Sequence, residues 1–118
     1  MGFCEYCRMA QWQMPGPFQV DHVIAVQHGG KTEAANLALA CPHCNRNKGP
    51  NIAGIDPRSG ALVRLFNPRI DVWADHFRII GGWIEGTSPI GRATAQVLNL
   101  NAAWLVEVRA ALATEELL

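Results

Sequence analysis

Residues 41–49 read CPHCNRNKG, and Cys41 and Cys44 have the spacing of half a tetrahedral metal site. The chain's other two cysteines, Cys4 and Cys7, repeat that C-x-x-C spacing. Two matched pairs predict one four-thiolate zinc site that ties the start of the chain to residue 41. Two disulfides are the alternative, but nothing in the sequence indicates an oxidising compartment. A thioredoxin-like redox motif needs one such pair at a helix start after a strand, so two pairs fit it poorly. Four thiolates leave no coordination position for water or substrate, so the expected zinc is structural. Any chemistry must come from what it holds in place.

Working outward, Pro42 suits the first turn of a helix, and Gly49-Pro50 ends it. That helix would carry His43, Cys44, Asn45, Arg46 and Asn47. Upstream, Phe18-Gln19-Val20 and Val23-Ile24 read as strand, because β-branched residues dominate. Gly29-Gly30 marks a turn, residues 31–36 a polar loop, and Leu37–Ala40 a second short strand. The order is strand, long loop, strand, short helix.

The full chain of 118 residues is one domain's worth of material, 49% apolar and 17% charged. The sequence holds no apolar run long enough for a membrane span, and its first residues lack the pattern of a secretory signal. A cytoplasmic protein without a membrane partner is the expectation. Ten basic and ten acidic side chains give zero net charge, which does not favour a polyanion partner. The middle is more basic: Arg46, Lys48, Arg58, Arg64, Arg69 and Arg78 stand against Asp56, Asp71 and Asp75.

Asp21-His22, Gly29-Gly30, Asn36-Leu37 and Cys41-Pro-His-Cys44-Asn45-x-x-Lys48-Gly49 stand in a fixed order between the cysteine pairs. In that order they resemble the HNH endonuclease family, in its four-cysteine zinc-knuckle form. The resemblance implies an α+β fold: a small zinc-stapled ββα-metal (His-Me finger) domain over residues 1–50. It implies His22 as the general base, since an imidazole exchanges protons near neutral pH. Asp21 and Asn45 would bind a catalytic Mg²⁺ or another divalent metal, with Asn45 presented by the helix opposite Asp21. A local bend would be needed to bring Asp21 and His22 together. Asn36 would hold the backbone that orients His22. DNA, expected as duplex, would be the partner, and cleavage would leave 5′-phosphate and 3′-hydroxyl ends. His28, Arg46 and Lys48 are candidate phosphate contacts. Each of these residues alone has an ordinary structural reading; their joint occurrence between two zinc half-sites carries the inference.

His43 is expected to be exposed, and Asp75-His76, which no cysteine or asparagine frames, to be structural. Beyond residue 50, Asp56–Gly60 reads as a turn and residues 61–66 as a strand. Residues 77–84 read as a hairpin around Gly81-Gly82. Residues 91–100 and 102–112 read as helices, with Asn101 a cap between them and Leu105, Val108 and Leu112 on the core side of the second. LFNPR, DHF and GRAT in this half also look similar to bacterial HNH proteins. Residues 51–118 are therefore expected to form a hairpin and helical extension continuous with 1–50. Two other readings stand beside the nuclease: a non-catalytic zinc-stapled nucleic-acid-binding module, and a protein-interaction scaffold.

Overall fold

The computed structural model describes residues 2–115. Three short antiparallel hairpins and three helices make it a mixed α+β structure. The first hairpin pairs β1 (Gln19–His22) with β2 (Leu37–Ala40), Asp21 standing opposite Ala38 and His22 opposite Leu37. Ala38 and Ala40 are buried, and such small side chains let the following helix approach this face closely. That helix, α1 (Pro42–Lys48), starts where Pro42 presets the backbone and ends at Gly49, whose φ of 50° a larger residue resists. Ahead of β1, the turn bearing Cys4 and Cys7 joins the edge of β2. Glu5 N donates to Leu39 O at 2.9 Å, and Leu39 N donates to Glu5 Oε2 at 2.8 Å.

The second half adds β3 (Ala53–Ile55) paired with β4 (Leu62–Arg64), then β5 (Phe77–Ile80) paired with β6 (Trp83–Gly86). Ile80 pairs with Trp83, so Gly81-Gly82 is the two-residue turn the sequence predicts. Both glycines have positive φ, which such hairpin turns demand. Two helices follow, α2 (Pro89–Val97) and α3 (Ala103–Thr114). Ser88 caps α2 by accepting from Gly91 N at 3.0 Å.

Two expectations change here. Strand β3 was not anticipated, because three residues including a glycine show no alternation. Asn101 does not cap α3; its side chain binds both Ile84 N and Ile84 O at 2.8 Å, extending β6 sideways. Leu105, Val108 and Leu112 do pack on the core.

An aromatic cluster joins the two halves. Phe66 meets Tyr6, His76 and Phe77 edge-on at 6.4, 6.0 and 5.4 Å between ring centres, and Trp73 stacks on Phe77. Trp73 Nε1 donates to Tyr6 O at 2.9 Å. His76 accordingly has the structural role expected of it, with Nδ1 2.6 Å from Ser88 Oγ. No helix among the described residues is long and apolar enough to cross a membrane.

Asp56 locks the β3–β4 turn to α2. Its carboxylate accepts from Arg92 Nε at 2.8 Å and Nη2 at 3.0 Å, from Ser59 Oγ at 2.7 Å and from Arg58 N at 3.0 Å. The Arg92 guanidinium holds this carboxyl well below the usual carboxylate range. A lowered native value stabilises the fold above the unfolded carboxylate's pKa of about 3.9, and that share is lost as pH falls through the native value. Asp56→Asn should therefore unfold at lower urea than wild type at pH 7. The gap should narrow as pH is taken below about 4, which paired urea titrations will show.

Candidate functional site

The four cysteine sulfurs lie within 4.8 Å of one another, all buried. Cys7 Sγ and Cys41 Sγ are 3.7 Å apart. That is the edge of a tetrahedron with arms of about 2.3 Å, the Zn–S distance. The two half-sites use one device: Cys7 N points at Cys4 Sγ and Cys44 N at Cys41 Sγ, each at 3.4 Å. In the second pair this contact is also the N-cap of α1. Donation from the neighbouring thiols, Cys4 first, holds Cys41 low, while hydrogen bonding to Cys4 and then to Cys41 pushes the Cys7 and Cys44 thiols up. Four packed sulfurs cannot all ionise without a cation among them, so the cluster can hold zinc.

From this cluster two arms reach β1. Tyr6, between Cys4 and Cys7, is buried and donates its hydroxyl to Asp21 Oδ2 at 2.8 Å. Burial and the Asp21 charge push the Tyr6 hydroxyl far up, so it stays a donor. The second arm is α1. Lys48, in its last turn, pairs with Asp21 at 3.1 Å, and the two side chains are 1% and 6% exposed. One turn earlier, Asn45 Nδ2 donates to Gln19 Oε1. Strand and helix thus meet in two rungs, Gln19 with Asn45 and Asp21 with Lys48.

His22 leaves β1 on the other face, because neighbours in a regular strand alternate. Its Nε2 is 2.8 Å from Thr32 Oγ1. Just beyond it, Asn36 secures the chain: its Oδ1 accepts from Ile24 N, and its Nδ2 donates to Ile24 O and Lys31 O, all at 2.9 Å. The amide acts as a short piece of strand for Ile24. Gly30 has no room for a side chain, since a Cβ there would sit 1.6 Å from Ile24 O.

Residues 4–51 match the family model described as HNH endonuclease. This segment is an HNH domain. Its four clustered cysteines fit the zinc-knuckle form. No curated protein and no solved structure gives a significant match to the chain.

Several expected positions differ within the HNH domain. Asn45 faces Gln19, and Lys48 is the residue opposite Asp21. A regular ladder through His22 leaves Asp21 and His22 on opposite faces without a bend. Lys48 was expected at phosphate, yet its ammonium is buried against Asp21 and the carbonyls of His22 and Val23. His43 was expected to be exposed; it is buried, its Nε2 2.8 Å from Asn99 O and its ring edge-on to Trp104. Residues beyond 50 cover that side of α1, which the helix sequence alone does not reveal. Arg46 and His28 are exposed. Tyr6, Gln19 and Thr32 were not singled out beforehand; the signal for Tyr6 is its place inside the first C-x-x-C.

For a hard divalent cation the donors are chemically suitable. Asp21 offers a carboxylate, and Asn45, using Nδ2 for Gln19, keeps its Oδ1 for a cation. Asp21 already carries one positive partner in Lys48.

Metal analysis of purified protein is expected to give about one zinc per chain. Cys41→Ser should release the metal and lose the cooperative thermal transition, measured by circular dichroism. Stoichiometric disulfides with no zinc would overturn this.

Proposed function

We propose that this chain is a metal-dependent endonuclease that nicks or cuts DNA. The supporting observation is the HNH match over a segment whose motif histidine stands at the end of β1, beside the turn that Asn36 secures. In this reading His22 is the general base. With Nε2–H donated to Thr32, Nδ1 carries the lone pair that takes a proton from the attacking water. Asn36 and Gly30 fix the backbone leaving His22, so the imidazole stays aimed. Asp21 and Asn45 would hold a divalent metal such as Mg²⁺, which when bound offsets charge on the phosphate oxygens and the leaving group. The zinc is structural. Exposed Arg46 and His28 meet the DNA backbone, and the protein works in the cytoplasm.

We read residues 51–115 as one unit with the HNH domain, on the strength of the Phe66 cluster and the His43–Asn99 contact; the rest of the expected extension, residues 116–118, lies outside the described residues. The second reading, a non-catalytic nucleic-acid-binding module, has its own support in the burial and ion pairing of Asp21.

Supercoiled plasmid incubated with and without Mg²⁺ or Mn²⁺ tests the choice. Wild type should nick it, and His22→Ala should be slower by about 10²–10⁴-fold while keeping its zinc and its circular dichroism spectrum. Equal nicking by the two proteins, or none by either, would overturn the assignment of His22.

Binding should depend on salt and little on sequence, since phosphate contacts dominate it. Arg46→Glu should weaken DNA affinity across unrelated duplexes in a titration at fixed ionic strength. Affinity unchanged by salt or by Arg46→Glu would remove Arg46 from the interface.

A further inference from the structure

Lys48 Nζ is surrounded by four oxygens from three consecutive residues. They are Asp21 Oδ2 at 3.1 Å, Asp21 Oδ1 at 3.4 Å, His22 O at 3.2 Å and Val23 O at 3.0 Å. An ammonium has three N–H donors, so the two carboxylate oxygens share one and the carbonyls take the others. A carboxylate and two carbonyls are also the oxygens that a hard cation collects. The cage is closed, with Lys48 1% exposed.

We propose that Lys48 is a built-in counter-ion whose ammonium occupies the Asp21 carboxylate, so that a divalent cation reaches Asp21 only by displacing it. This rests on the reading of Asp21 as a ligand of that cation. Two positive charges a few ångströms apart in a site shielded from water repel strongly, so the carboxylate serves one or the other. Linkage makes the exchange reciprocal: whatever Lys48 gains at Asp21, the metal must overcome.

The surroundings permit the exchange. Lys48 is the last residue of α1, directly before Gly49, and its charge rides on a flexible four-carbon stem. It also lines a groove of about 260 Å³ with Val23, Ile24, Ile52 and Leu65, which can take the displaced stem. Tyr6 holds Oδ2 independently of Lys48, so the carboxylate keeps its place when its cation changes. The site would therefore remain folded and electrically balanced before metal arrives.

Mn²⁺ binding to the zinc-loaded full chain, followed by loss of the free-ion electron paramagnetic resonance signal, tests this without reference to cleavage. Lys48→Met removes the ammonium; Lys48→Gln removes the charge but keeps donors for the carbonyls. Both should bind Mn²⁺ at least about tenfold more tightly than wild type, and adding Asp21→Asn should abolish the gain. Mn²⁺ should also raise the thermal midpoint of both variants more than that of wild type. For a variant unfolded without Mn²⁺, recovery of the folded circular dichroism spectrum on adding it supports the proposal, and failure to recover opposes it. Lys48 variants that bind no more tightly, while Asp21→Asn weakens binding, would overturn the counter-ion role and leave the ligand assignment standing. Binding unaffected by Asp21→Asn in either background would overturn both.

Discussion

Bringing four sulfurs to one point constrains this molecule more than any other contact. It fixes residues 4–7 against residues 41–44, and everything near the motif hangs from those two attachments. From the first, Tyr6 projects inward to Asp21 Oδ2. From the second, Cys41 caps α1, whose far end delivers Lys48 to the same carboxylate. Asp21 is therefore held from both half-sites at once. A shift in either cysteine turn would move one of its two partners.

The sequence is most legible where chemistry demands a particular residue at a particular spacing. The paired cysteines, Pro42 at the helix start, Gly49 at its end and Gly81-Gly82 in the hairpin are of this kind, and all stand where expected. Contacts between distant segments were not legible. Nothing in CPHCNRNKG tells that His43 will be covered by Asn99 and Trp104, because α1 gains its second buried face only when residues beyond 50 fold over it. Arg109 shows the same limit. It sits on an apolar helix yet is fully buried, donating to Gly82 O at 2.7 Å and to Leu100 O at 2.5 Å. Those partners lie in two other segments, the β5–β6 turn and the α2–α3 connection, and leave no local pattern.

Charge in the middle of the chain changes meaning once partners are known. Of the six basic residues from 46 to 78, Lys48 pairs with Asp21, Arg64 with Asp71, Arg69 with Glu5 and Arg78 with Glu85. Arg46 and Arg58 are the exposed cations of that stretch outside these ion pairs. A stretch that reads as a broad basic face is thus largely neutralised from within. Any footprint on a polyanion must be narrower than composition suggests.

The Asp21–Lys48 pair carries a further implication about design. Burying two opposite charges is expensive in desolvation, and well-packed apolar residues of similar volume usually stabilise as well or better. Stability alone therefore does not account for charge at both positions. In the counter-ion reading its place does: the pair lies at the end of β1, directly beside His22, with its carboxylate braced by a hydroxyl from the first cysteine turn. An apolar pair would hold α1 to β1 but could never accept a cation. On the counter-ion proposal, a carboxylate held in place by Tyr6 and matched by Lys48 would exchange one cation for another without the fold having to rebuild around it.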